Sequence, residues 1–242
     1  MLLISNTSLA ISRTTDYSLP QFTTLRRQLT DRVREARAPD NAELTRELGL
    51  ATKEHSHQVK SSEGLVNLRR CLTTLDVPLK YYASLDVLLS LITHRPMFLR
   101  YTLDFLSPQE EHIMKSNKGT GPRWMYGVPD QLMFTLVKMN GLFEDFGNRV
   151  DLETIQGLEQ EIAACRPVVS IGSEEDPILN LGRIMVQETW TMAACVYLYM
   201  GLCGANSLDA RVVKVQKVFM RRLGGVKSRR HPDSFLVYPI AI

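Results

Sequence analysis

Between Leu65 and Ile92 the leucines at 68, 72, 75, 79, 85, 88 and 89 mostly fall three or four residues apart, the spacing that places apolar side chains on one helical face. Pro78 interrupts the run, and its ring and missing N–H predict two helices rather than one. Arg95-Pro96 opens a further predicted helix with Phe98, Leu99, Leu103 and Leu106 as its apolar members. Ser107-Pro108-Gln109-Glu110 reads as the capped start of the next, and residues 116–122 read as a glycine-containing loop. After Pro129, Leu132, Phe134, Leu136, Val137, Met139, Leu142, Phe143 and Phe146 are too densely apolar for a helix wetted on one side, so this helix is expected at the centre. Asp151 heads a helix carrying Leu152, Ile155, Leu158 and Ile162 that ends near Pro167, with a turn over residues 170–177. Residues 178–202 are apolar nearly all round and predict a second core helix, stopped by Gly201 and Gly204. Asn206 or Ser207 then caps a helix to Leu223 with Val212, Val215, Phe219 and Leu223 on one face.

Period-two alternation is hard to find anywhere, and no repeat of fixed length emerges. The expected class is all-α, an irregular bundle of packed helical hairpins. The amino-terminal stretch differs in character. Residues 1–18 are rich in Ser and Thr, residues 22–36 carry Leu25, Leu29 and Val33 among arginines, and residues 39–60 are polar. A division follows, with 1–60 as a partly disordered or helical extension and 61–242 as the folded domain.

Composition alters this picture little. At 242 residues and 44% hydrophobic content the chain is long enough to bury a sizeable core, and a net charge of +3 does not by itself imply a nucleic-acid partner. Cys71, Cys165, Cys195 and Cys203 show no Cys-x-x-Cys spacing, so reduced thiols inside a cell are expected rather than a zinc site or disulfide framework. The longest apolar run, Met192 to Cys203, is shorter than the roughly 20 residues that span a bilayer, and the first residues lack the basic start of a signal peptide. No membrane association is expected.

Candidate chemistry is sparse. The chain has no Gly-x-Ser-x-Gly elbow, Walker loop, Gly-x-Gly-x-x-Gly turn or His-Glu-x-x-His helix, and it is expected not to be an enzyme, with no catalytic, cofactor or metal residues. Glu110-Glu111-His112 could supply a carboxylate and an imidazole, but neighbouring helix positions point apart. His55 and His57 share a face only in an extended segment, and two ligands make a weak metal site. The aromatic residues Trp124, Trp190, Tyr197 and Tyr199 read as core or as the lining of a small-molecule pocket. The distinctive charge feature is carboxy-terminal: Arg211, Lys214, Lys217, Arg221 and Arg222 on one amphipathic helix, followed by Lys227, Arg229 and Arg230. It is a candidate contact surface for nucleic acid, an acidic protein or an import receptor, against the plainer reading of a solvated face.

Several segments resemble, in order, the fungal-specific transcription factor domain: Arg123-Trp-Met-Tyr-Gly-Val-Pro-Asp-Gln131, Val186-Gln-Glu-Thr-Trp190, Tyr197-Leu-Tyr-Met-Gly-Leu-Cys-Gly-Ala205, Asp209-Ala-Arg-Val-Val213 and His231-Pro-Asp-Ser-Phe235. That domain is the helical regulatory region downstream of a zinc binuclear cluster in many fungal regulators. The resemblance implies a nuclear, non-catalytic regulator of RNA polymerase II transcription that works with transcriptional partner proteins, a dimer included. It identifies no effector, and a non-catalytic helical protein-interaction scaffold unrelated to transcription, docking an acidic partner through the basic stripe, stays open as the alternative. The zinc ions of such factors belong to a module of six closely spaced cysteines, which these four cannot supply, so specific DNA binding by this chain itself is not expected. The family pattern would continue beyond Phe235-Leu-Val-Tyr-Pro-Ile-Ala-Ile242, and the chain is expected to be truncated there.

Overall fold

The computed structural model describes residues 65–73, 77–104, 122–169 and 177–224 and the isolated positions 236, 239 and 242. The extension over 1–60, the pair His55 and His57, the capped start at Ser107-Pro108, the Glu110-Glu111-His112 group, most of the 116–122 loop and the segment 231–235 lie outside the described residues.

Helices dominate what is described. In chain order the elements are β1 (Val66–Asn67), α1 (Leu68–Thr73), α2 (Val77–Thr93), β2 (Tyr101–Thr102), α3 (Pro122–Tyr126), α4 (Asp130–Phe146), α5 (Leu152–Ala164), α6 (Pro177–Tyr197), a π-helical turn (Leu198–Leu202) and α7 (Ala210–Gly224). The all-α class expected from periodicity is the class observed. Pro78 lies in the first turn of α2, where a missing N–H costs no helical hydrogen bond, and so marks a start rather than a kink.

The dense apolar sequence of α4 has the expected consequence. Every residue from Leu132 to Val137 is buried, and the helix packs against α2, α3, α5 and the π turn. Leu79, Ala83, Val87, Leu88 and Leu91 of α2 and Ile155, Leu158 and Ile162 of α5 belong to the same core. Gly147 closes α4 at φ 62, a left-handed position that suits a residue without Cβ, and its N–H returns to the Phe143 carbonyl at 2.8 Å. Asp151 caps α5 as its sequence predicts: one carboxylate oxygen accepts from the Thr154 N–H at 2.8 Å and the other from its hydroxyl at 2.7 Å.

Three expectations need correction. Residues 95–102 do not form the helix that Arg95-Pro96 was expected to open. His94 ends α2 at φ 53, the Ser90 hydroxyl donates to the Arg95 carbonyl at 2.7 Å, and Tyr101–Thr102 pairs in parallel with Val66–Asn67. The Arg100 carbonyl accepts from the Val66 N–H at 2.9 Å, so this backbone is held by tertiary partners rather than by its own next turn. Second, α6 is not buried throughout. Ile178, Leu179 and Leu181 are exposed, and burial begins in earnest at Val186. Third, Asp209 caps α7, its carboxylate accepting from the Arg211 N–H at 2.9 Å, whereas Asn206 organises the preceding turn by accepting from the Leu208 N–H at 2.9 Å.

Candidate functional site

The basic helix α7 packs on α6 and the π turn. Val212 is fully buried, and Val215 and Phe219 are half-buried beside it. At about 100° per residue these positions share one side of the helix, and Lys214, Lys217 and Arg221 point the opposite way. All three cations are exposed, and among the described residues none of them pairs with a carboxylate. Val218 and Met220, 38% and 40% exposed, flank the cationic stripe on its two sides.

Two of the predicted surface cations have internal partners instead. The Arg211 guanidinium makes two contacts to the Asp209 carboxylate, at 3.1 and 3.0 Å, and lies 4.8 Å from the centroid of the Tyr199 ring. This pairing pulls Asp209 below the usual carboxylate range and raises Arg211 further. Tyr199 projects from the π turn; burial, and next the nearby Glu159 carboxylate of α5, push its phenol up to about 12. Arg222 pairs with Glu188 of α6. Arg222 thus links α7 to α6 and Arg211 reaches the Tyr199 ring of the π turn, and among the described residues the cations of α7 left without a carboxylate are Lys214, Lys217 and Arg221. Lys227, Arg229 and Arg230 lie outside the described residues.

The aromatic residues divide. The Trp190 ring is wholly buried and its indole N–H donates to the Tyr126 carbonyl at 2.9 Å. Tyr197 is buried against His94 and Phe143, with ring centroids 5.9 and 6.2 Å away, and burial pushes its phenol far above its ordinary value. Both are core. Tyr199 is half-buried, and the side chain of Trp124 lies outside the described residues. An open groove of about 550 Å3 runs between residues 97–103, α4 and α5, lined by Met97, Tyr101, Leu103, Val137 and Leu158 among others; Trp190, Tyr197 and Tyr199 do not line it.

Sequence reasoning passed over a buried carboxylate. Asp86, in the middle of α2, accepts from the Phe98 N–H at 2.7 Å, the Leu99 N–H at 3.1 Å and the Tyr101 hydroxyl at 2.9 Å. Burial pushes it up to about 6 against the opposing effect of these three donors, and Glu144 adds a smaller upward push. The same burial, with Asp86 alongside, holds the Tyr101 phenol well above its ordinary value. A lone Asp inside Leu85-Asp86-Val87-Leu88-Leu89 was the available signal, because a carboxylate in an apolar run is buried only with donors. All of its bonds hold the chain to itself, which makes it an anchor for the extended segment.

The four cysteines form no disulfide, and burial pushes the Cys165 and Cys195 thiols up to about 11. Among the described residues no group of three or more His, Cys, Asp or Glu side chains is placed to hold a metal ion, and no helix is long and apolar enough to cross a membrane. Comparison of the chain with protein-family models, curated proteins and solved structures finds no match.

Proposed function

We propose that this chain is a non-catalytic helical regulatory domain that acts in the nucleus on RNA polymerase II transcription, through protein partners rather than through specific DNA contacts of its own. What supports the reading is the way segments that carry the resemblance meet in space. The Trp190 indole of one reaches the Tyr126 carbonyl of another across 64 residues of chain, and Arg211 of a third lies on Tyr199 of a fourth. Residues shared with such a domain would then serve as joints of the fold, leaving function to the surface they position. The exposed cations of α7 are a part of that surface with charge to offer a partner, whether another protein or a second copy of this chain. No cofactor enters the proposal.

Tethering tests it. The chain is fused to a heterologous DNA-binding module upstream of a reporter in a fungal host, and output is compared with the module alone. A several-fold change in either direction is expected. Output equal to that of the bare module, with the fusion expressed and nuclear, would contradict the regulatory role and favour a helical interaction scaffold working outside transcription. Specific binding of the isolated chain to duplex DNA near physiological salt would contradict the claim that it acts only through partners.

A further inference from the structure

We propose that the outward face of α7 is a docking site for an acidic segment of a partner protein in which large apolar residues stand beside the carboxylates. The acidic side chains would pair with Lys214, Lys217 and Arg221, and the apolar ones would cover Val218 and Met220. The inference deepens the regulatory reading and rests on it for its setting in the cell, but the binding itself is tested apart from transcription.

The argument starts from what these cations do for the chain. Lys214 and Lys217 stand at i and i+3, and Lys217 and Arg221 at i and i+4, so like charges face one another over two turns, an arrangement that weakens a helix. Arg221 gains from its place in the last turn, near the negative end of the helix dipole, but Lys214 and Lys217 stand too far from that end. On the flank of the same helix the carboxylates of Asp209 and Glu188 neutralise Arg211 and Arg222. The outer three have no such carboxylate among the described residues, and their charge is complementary to an acidic segment brought by a partner.

Two further features favour a protein over a nucleic acid. The stripe presents three cations along about 10 Å of helix, fewer than the 6–10 or so phosphate contacts that give a nucleic-acid binder strong affinity. Val218 and Met220 border it with exposed apolar surface, which phosphates do not cover and leucine-like side chains do. The methylene stems of the lysines extend that apolar area while their ammonium groups remain available for pairing.

The test uses the full chain and fluorescently labelled synthetic peptides: one alternating glutamates with leucines, one with its leucines replaced by serine, and one with its glutamates replaced by lysine. Labelled duplex DNA is a fourth probe. The acidic leucine-bearing peptide is expected to bind, with affinity that falls as salt rises. K214E/K217E/R221E should weaken it by about tenfold or more, and V218S/M220S by about threefold, because charge pairs and apolar cover contribute separately. All five positions are exposed, so melting temperatures should fall by only a few degrees, R221E giving up the favourable end of the helix dipole, and a variant that melts early is replaced by its single-site members. Equal binding of all peptides, no binding, or indifference to the triple substitution would overturn the proposal. So would preferential binding of the duplex that the same substitutions abolish. A tethered chain that moves the reporter yet ignores the peptide defeats the docking inference alone, and one that binds the peptide yet leaves the reporter unmoved defeats the transcriptional reading alone.

Discussion

Asp86 and the outer face of α7 use charge in opposite ways. Asp86 is 4% exposed, and two backbone N–H groups and a phenol converge on it; through them α2 holds residues 98–101 out of the helix that their local pattern favours. Lys214, Lys217 and Arg221 stand in water with no carboxylate beside them among the described residues. A buried charge must be satisfied inside the chain, so it dictates architecture, whereas an exposed one stays hydrated and is free to be exchanged for a partner. The first should therefore govern stability and the second binding, with little crossover.

The largest effect is expected at Asp86. Asp86→Ala leaves three donors without their acceptor and should cost about 3–5 kcal/mol, read as a fall in the urea midpoint at constant slope. A loss below about 1 kcal/mol would show that water or a neighbour replaces the carboxylate.

The next prediction is a pH dependence. Asp86 has a folded value of about 6 against an ordinary 3.8, so between these values the folded chain holds a proton that the unfolded chain has released. Its contribution to stability is therefore greatest below about pH 4, falls as pH rises to about 6, and is level above that, by roughly 3 kcal/mol in all. Asp130 is raised in the same direction, chiefly by burial, and Asp151 and Asp209 are lowered, so the parent curve sums several groups. The difference between the parent and Asp86→Asn curves isolates the part due to Asp86, and the variant should keep only the slopes of the other groups.

A smaller effect is expected at Trp190. Trp190→Phe removes the indole donor, leaves the Tyr126 carbonyl buried without it and trims the core, for about 2 kcal/mol by thermal or urea unfolding. At the other end of the comparison, Arg222→Gln, which breaks the exposed pair with Glu188, should cost no more than about 1 kcal/mol. K214Q/K217Q/R221Q should stay within about 0.5 kcal/mol of the parent. A larger loss there would mean that these cations take part in holding the fold, and the contrast with Asp86 would fail.

The helical class, the central place of α4 and the Asp151 cap were legible because each depends on local periodicity or on a hydrogen bond spanning three residues. The extended stretch at 97–102 was not legible, since its apolar spacing suits a helix and is overruled by Asp86 and by pairing with Val66–Asn67, neither of which is close in sequence. The division within the basic cluster was hidden for a similar reason. Glu188 lies 34 residues from Arg222 and Tyr199 sits on a π turn that no spacing rule announces, although Asp209 beside Arg211 was in plain view. The exposed start of α6 shows that an apolar sequence does not by itself say what covers it.

The separation of function from stability is tested most directly by one paired measurement on K214Q/K217Q/R221Q: reporter output when tethered, and the urea midpoint of the purified chain. The account predicts that the parent changes output several-fold, that the variant returns it to the level of the bare DNA-binding module, and that the two midpoints coincide. A variant that keeps the parent's output, or that loses it only because its midpoint has collapsed, would contradict the claim that this face of α7 acts on a partner.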